Sequence, residues 1–538
     1  MRPLLPPRPH PRRGRELQRL LAETWDLVIV GGGATGTAAA RDAALRGLKV
    51  ALLEQDDLAA GTSSRSSRLI HGGLRYLARF ELGLVREGLF ERRLLLEALP
   101  GIVRPVRFLY PIWRGDPDPP WKVALGLGLY DLLALRDGLA NHRRLARQRV
   151  LDLVPGLRAE GLRSGFLYPD AAAHDARLTL ALAIAAREAG ALVLTRCGAT
   201  ELIVASGRAV GLRIEDRFSG EEAALGARAV LFCCGPWAEL LPEGLRLRRA
   251  RGSHISLPAR RLAVPCHLAL RAPGDGRLAF ALPAGEYTVI GTTDDDDLTP
   301  PAEVRPTAAD TDYLLGVAAH AFPAQRLGRQ DVVGGWAGLR PLLADPEARD
   351  PDTLSRRHAV VPGPPGAWFV TGGKLTTHRR MAAEAIDRVV SHLGLRRPCP
   401  TRAGAILSGS PARGADSLRR LGLRPAIVEG LAELYGARLE RLAEILSGGG
   451  AVDEAACLRA QIRLAVDEEW ALGLDDLFLR RLLPGPLDLR AGFAAAADGA
   501  ALLGEQLGWT AEERSGHLAA FRAGLRSDLL AAGLAPPD

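Results

Sequence analysis

Between Asp26 and Glu54 an apolar strand, Leu27 to Val30, runs into Gly31, Gly33 and Gly36, and a second strand, Val50 to Leu53, ends on an acid. Strand, Gly-x-Gly-x-x-Gly, alanine-rich helix, strand and carboxylate in that order form a dinucleotide fingerprint. Gly31 permits the tight turn. Gly33 lets the backbone approach a pyrophosphate, which faces the helix opened by Ala34 and Thr35. Gly36 lets that helix pack on the sheet, and Glu54 accepts bonds from a ribose hydroxyl, its charge arguing against a 2′-phosphate. A second group follows at Thr62, Ser63, Ser64, Ser66 and Ser67, with His71, Gly72, Gly73, Arg75 and Tyr76 after it. Hydroxyls and glycines so placed suit a wrap around phosphates and a ring edge. A third lies at Gly372-Gly373-Lys374-Leu375-Thr376-Thr377, a glycine turn at a helix start that offers backbone donors to an anion. Lys374 is one of only three lysines in the chain, so its retention there asks for a reason.

The elements that must hold these groups are legible from patterning. Leu84 to Leu99 reads as a helix and Pro105 to Pro120 as a proline-punctuated connection. Asp175 to Glu188 reads as an amphipathic helix, Ala191 to Thr195 as a strand, and Ala199 to Ile214 as a hairpin around Ser206-Gly207. Ala229 to Cys233 is an apolar strand leading into Gly235-Pro236-Trp237, a turn that brings backbone close to the nucleotide. Gly252 to Arg340 is strand-like, and its run Asp294 to Asp297 lacks calcium-loop spacing and reads as a solvated acidic loop. From about Ala405 the chain turns helical, with signals at Pro425 to Tyr435, Leu439 to Leu446, Glu454 to Asp467 and beyond Ala511.

At 538 residues the chain is too long for one core, and 47% hydrophobic with 25% charged residues is an ordinary globular balance. The longest apolar run, Val123 to Leu135, contains Asp131 and falls short of a bilayer span. Six cysteines without paired spacing predict no metal site and a reducing, cytoplasmic setting. The net charge of +8 is dispersed, with no nucleic-acid motif; it suits an anionic substrate or an anionic membrane surface. The opening segment, Arg2 to Arg15, has no apolar signal region and reads as a disordered tail.

These stretches together resemble the FAD-dependent glycerol-3-phosphate dehydrogenases of the aerobic, quinone-linked type. The resemblance is carried by Gly31 to Gly36, Thr62 to Ser67, Leu69 to Tyr76, Gly235 to Trp237, Gly252-Ser253-His254-Ile255, Gly291 to Asp294, Gly338 to Leu342 and Gly372 to Thr377. It covers roughly residues 25 to 390, and Asp467 to Trp470 with Leu477 to Leu482 resembles the family's helical C-terminal domain. Two local departures are Cys233-Cys234 before Gly235, where Ala-Thr is commoner, and His378 in place of tyrosine. The resemblance implies an α/β fold. A Rossmann-like FAD-binding domain (segments about 25–105, 160–250 and 350–398) is interleaved with a β-rich substrate (cap) domain (about 106–159 and 251–349). An all-α C-terminal domain (399–538) follows; the segment 1–24, outside the resemblance, reads as a disordered Pro/Arg-rich tail.

It also implies oxidation of sn-glycerol 3-phosphate to dihydroxyacetone phosphate, with hydride passing from C2 to flavin N5 and electrons onward to a membrane quinone, or to oxygen in the related oxidases. Such a reaction needs a base and positive charge for the phosphate. His254 is the first candidate base, with His71 the second; Arg340 and Lys374 are the candidates to hold the phosphate and the developing carbonyl, with Arg75 and Tyr76 completing the pocket. Gly373, Lys374, Leu375 and Thr376 would also touch the cofactor. Attachment to the inner face of the cytoplasmic membrane through the Trp121 to Tyr130 stretch is one reading and a buried helix there the other; a homodimer is compatible with either. An amino-acid oxidase on the same fold and a non-catalytic nucleotide-binding scaffold are the competing functions.

Overall fold

The computed structural model describes residues 11–134, 138–237, 246–343, 357–448 and 452–537. In chain order its first half runs α1 (Pro11–Ala22), β1 (Leu27–Val30), α2 (Ala34–Leu45), β2 (Val50–Glu54), β3 (Leu69–Ile70), α3 (Leu82–Ala98), β4 (Val103–Trp113), α4 (Pro120–Leu133), β5 (Arg143–Ala146), α5 (Arg147–Leu153), β6 (Leu162–Ala173) and α6 (Asp175–Glu188). Later elements are named by their residues.

The nucleotide-binding half is a six-stranded sheet in the order His358–Pro362, Ala367–Gly372, Val230–Phe232, β1, β2, Leu192–Thr195. All neighbours are parallel except the outermost His358–Pro362. Every residue of β1 is buried, as a parallel strand covered on both faces requires. The alanines of α2 let it sit close to the sheet, and a Cβ on Gly36 would lie 1.9 Å from the Gly31 carbonyl oxygen. Gly31 itself stands at φ +108°, which glycine adopts without strain. On the sheet's flank a three-stranded sheet (Cys197–Ala205, Arg208–Asp216, Glu222–Gly226) contains the hairpin at Ser206-Gly207, both residues at positive φ.

The cap is a ten-stranded sheet in the order Asp295–Asp296, Leu247–Pro258, Tyr287–Gly291, Leu278–Ala284, His267–Arg271, β4, β6, β3; Gly334–Leu343 pairs with Leu247–Pro258, and β5 with β6. Three expectations change here. The span from Pro105 is no connector but the core of β4, which pairs with β6 along its length. The prolines are tolerated because β4 is paired on its other side only at Phe108 and Leu109. Residues 162–173 therefore belong to the cap rather than to the nucleotide domain, as do Leu69 and Ile70.

The N-terminal segment is likewise no tail over its described part. Helix α1 docks by Leu20, which is fully buried, and by Arg13, whose guanidinium donates to the carbonyls of Thr195 (3.0 Å) and Arg196 (2.8 Å) and to Asp216 (2.6 Å). Residues 1–10 lie outside the described residues. Nor is α6 amphipathic: every residue from Asp175 to Ala186 is buried, because α6 packs between α2 and the helix Glu454–Glu469.

The C-terminal helices do not form one core. Pro411–Arg420, Pro425–Tyr435, Leu439–Ser447 and the start of Glu454–Glu469 share a cluster around Leu418, Leu431 and Leu442. Helices Leu489–Leu507 and Ala511–Ala531 instead lay Ala496, Leu503, Phe521 and Leu525 into the cluster that backs the cap sheet, with Leu109, Ile255 and Leu314. Between the two groups the turn Leu477–Arg481 inserts Arg480 and Arg481 against Asp57, at 2.5 to 2.7 Å. Arg196 meets Asp476 at 2.7 Å and Arg177 meets Glu469 at 2.8 Å, all in the interior.

Candidate active site

A cavity of about 630 Å³ opens where the nucleotide sheet faces the cap sheet. Its floor at one end is the fingerprint: Gly31, Gly33, Ala34 and Thr35 line it, with Glu54 at the end of β2. Gly33 caps α2 without any side-chain bond, so the helix N-terminus is open to an anion except at Ala34, whose N–H donates to Ser63 Oγ at 2.9 Å. Glu54 accepts from the backbone N–H of Gly32 (2.7 Å) and of Asp56 (2.8 Å). Burial, helped by the charges of Asp56 and Asp57, pushes its carboxyl up to about 7. Gly36 lies behind the lining, packed on Gly31.

The hydroxyl loop is a set of ties as much as a wrap. Thr62 Oγ1 donates to the Leu339 carbonyl of the cap (2.6 Å), Ser66 Oγ to Asp175 (2.7 Å), and Ser67 Oγ shares a hydrogen bond of 2.8 Å with His254 Nε2. Thr62, Ser63, Ser66 and Ser67 line the cavity, whereas Ser64 is buried behind it. His71 lines it too, its backbone N–H donating to Thr376 Oγ1 at 3.1 Å. Gly72 does not; its N–H donates to Tyr130 Oη at 2.9 Å. Gly73 reaches the cavity at φ +85° beneath the ring of Tyr76, and the side chain of Arg75 lies outside the described residues. Gly235, Pro236 and Trp237 line the same cavity, with Trp237 against Gly61.

Lys374 and Arg340 are two of the cations that line the cavity, Arg65 and Arg277 being the others among the described residues. Lys374 follows Gly372 and Gly373, both at positive φ, and its Nζ stands 3.8 Å from the centroid of the Tyr76 ring; Leu375 and Thr376 line the cavity beside it. Arg340 comes from the cap strand Gly334–Leu343. Its guanidinium donates to the Thr293 carbonyl (3.1 Å), Asp294 (2.8 Å) and Thr292 Oγ1 (2.8 Å), which fixes its plane. Two glycines make room on the neighbouring strands. A Cβ on Gly252 would lie 2.4 Å from Arg340 Nη2, and one on Gly291 2.2 Å from His254 Cδ2.

His254 is buried and stacked on Trp336, ring centroids 5.1 Å apart. Burial, reinforced by the charges of Arg340 and Arg68, drops its imidazole to about 3, so it is neutral over the physiological range.

Sequence reasoning missed Asp294. The run Asp294 to Asp297 is only half a solvated loop: Asp294 and Asp297 are buried and paired with Arg340 and Arg251, while Asp295 and Asp296 are exposed. No group of metal-ligating side chains occurs among the described residues. Also missed was an aromatic wall of Phe108 and Tyr110 on β4, Tyr168 on β6 and Phe280 on the strand Leu278–Ala284. The glycine cradle, the open N-terminus of α2 and the acid ending β2 fit the pyrophosphate and ribose of a flavin dinucleotide.

The FAD dependent oxidoreductase family matches residues 26–388, and the C-terminal domain of alpha-glycerophosphate oxidase matches residues 399–514. The glycerol-3-phosphate dehydrogenase of Mycobacterium leprae is 36% identical, the match covering 98% of this chain and 92% of that protein. The aerobic glycerol-3-phosphate dehydrogenase of Staphylococcus aureus is 31% identical over 86% of this chain and 87% of that protein. Among solved structures, the Bacillus halodurans glycerol-3-phosphate dehydrogenase complexed with FAD superposes with a TM-score of 0.80 at 28% identity, covering 96% of this chain and 97% of that one. Glycine oxidase from Bacillus cereus shares the fold alone, at TM-score 0.53 and 18% identity, over 69% of this chain and 96% of that one.

Proposed function

The chain belongs to the FAD-dependent glycerol-3-phosphate dehydrogenase family, and from that premise we propose that it oxidises sn-glycerol 3-phosphate at C2 in the cavity between its two sheets. One observation carries this: Lys374 from the nucleotide sheet and Arg340 from the cap line the cavity that also contains the fingerprint. When bound, the flavin supplies the hydride acceptor for C2, at N5.

The protein's own part is to grip, orient and deprotonate. Lys374 and Arg340 hold the substrate phosphate and polarise the oxygen that becomes the carbonyl, each charge-assisted contact contributing about 1.5–3 kcal/mol. Asp294 keeps Arg340 in one orientation, so little of that binding is lost to ordering it. His254 takes the hydroxyl proton. An imidazole near 3 is a poor base towards an alcohol, but as hydride leaves C2 that proton becomes the proton of a protonated ketone, which is far more acidic. The low value thus ties proton transfer to hydride loss. Ser67, bonded to His254 Nε2, sets the ring plane together with Trp336.

Electrons pass on to a membrane quinone in this reading. Helix α4 supports it: Val123, Leu127 and Tyr130 are buried, whereas Trp121 and Leu125 are each 69% exposed and Leu132 58%. Phe80, 87% exposed, follows the helical turn Leu74–Arg79 that packs on α4 and carries Tyr76. Neither earlier reading of this stretch is complete, since the helix is buried on one side and presents apolar side chains on the other. No helix among the described residues is long and apolar enough to cross a membrane, so contact would be with one face of the bilayer.

The test is the visible spectrum of the purified protein, recorded anaerobically before and after sn-glycerol 3-phosphate. A flavin band that bleaches is expected. A band that ignores the phosphate ester but bleaches with an amino acid would move the activity to the amino-acid oxidases.

A further inference from the structure

A second cavity, of about 870 Å³, lies on the cap beside β5 and shares no lining residue with the first. Arg104 and Arg107 of β4, Arg143 and Arg144 of β5, and Arg149 of α5 all line it, against a single carboxylate, Asp152. Arg104 is spoken for, since it pairs with Glu433 of the C-terminal helix Pro425–Tyr435. Arg107, Arg143, Arg144 and Arg149 make no ion pair and no side-chain hydrogen bond among the described residues, and Asp152 accepts from Gln148 instead (2.9 Å).

Several surface arginines elsewhere in the chain have acid partners. Arg19, Arg213, Arg388, Arg419 and Arg441, all on accessible surface, each have a carboxylate within 4 Å. Four arginines gathered around one concavity without acids repel one another, and the fold gains nothing from that arrangement by itself. Their guanidiniums offer forked donors matched to phosphate oxygens. His267, at the cavity wall, is buried and lowered to about 4, by burial and then by Arg104.

We propose that this arginine-lined cavity binds a phosphate-bearing anion with at least two negative charges, at a site separate from the substrate cavity. The volume is within the range of small-ligand sites and exceeds the needs of a lone phosphate. Such a group comes either from a soluble phosphate ester or from an anionic lipid headgroup. The two cavities adjoin through one ring contact, His267 on Phe108 at 5.0 Å between centroids, Phe108 lining the substrate cavity.

The experiment uses the holoenzyme and the double variant Arg143→Gln/Arg144→Gln, with Arg340→Gln as a control for the substrate cavity. Pyrophosphate binding is read by calorimetry. Lipid binding is read as the gain in sedimentation with phosphatidylglycerol vesicles over phosphatidylcholine vesicles, which removes any purely apolar attachment. The double variant is expected to weaken binding of one of these probes by about tenfold or more while glycerol 3-phosphate turnover stays at the parent value, and Arg340→Gln is expected to leave binding of that probe unchanged. Loss of the pyrophosphate isotherm identifies a soluble phosphate ester; loss of the vesicle gain alone identifies a headgroup. The proposal is overturned if the parent binds neither probe, if the double variant binds both as the parent does, or if Arg340→Gln removes the binding.

Discussion

Around Asp57 the molecule buries Arg177, Arg196, Arg480 and Arg481 against Asp57, Asp476 and Glu469, whereas in the substrate cavity the charges nearest Glu54 and His254 oppose their ionisation. At the junction each buried charge meets an opposite one within hydrogen-bond distance, Asp57 and Asp476 each facing two guanidiniums. Asp476 is held well below the ordinary carboxylate range as a result, despite full burial. In the cavity the same burial goes uncompensated, so Glu54 rises and His254 falls. Desolvation is common to both regions; what differs is whether the fold supplies a counter-charge.

The comparison breaks most easily at the junction. Asp57→Asn removes the carboxylate from Arg480 and Arg481 and is expected to destabilise the holoenzyme by about 3–5 kcal/mol, read as a fall in thermal midpoint. An unchanged midpoint would mean the network holds nothing together. Next, Lys374→Ala is expected to lower kcat/KM for glycerol 3-phosphate about ten- to hundredfold with flavin retained, as steady-state kinetics on the yellow variant will show. For Arg340→Ala the loss should be about tenfold and fall mainly on KM; a full-strength substrate titration would take Arg340 out of the phosphate site. His254→Ala should lower kcat with flavin in place. In the parent, kcat/KM should show no inflection near 6.5, because a base at about 3 is already fully unprotonated above about pH 5; its loss of activity begins only as pH falls towards 3. The smallest effect belongs to Trp121→Ser on α4, expected to change stability by less than about 0.5 kcal/mol while reducing sedimentation with vesicles.

What could be seen in the sequence was local. Gly31, Gly33, Gly36 and Glu54 are fixed by their spacing along one βαβ unit, and Ser206-Gly207 by turn chemistry, so both stand where expected. The family resemblance extended this to the cap and to Arg340 and Lys374. What escaped depends on partners far along the chain. Nothing near Arg13 shows that it will meet Asp216, and the prolines of β4 look like punctuation until β6 is beside them. Asp294 and Asp295 are neighbours in a run of four identical residues, yet only the first faces Arg340. The arginines of β4 and β5 likewise look like dispersed surface charge until β6 brings the two strands to one cavity.

The sharing of the cap's core with the last two helices has a consequence in time. The cap strands end at Leu343, but Leu525 and Leu529, which cover their back, are made about 190 residues later. At roughly 5–20 residues per second a nascent chain would carry uncovered, for about 10–40 s, the part of that apolar surface that Ala308–Ala321 does not cover. Synthesis of this protein thus passes through an interval in which the core behind the cap sheet is incomplete, and a chaperone that holds sheet surfaces would find its client there.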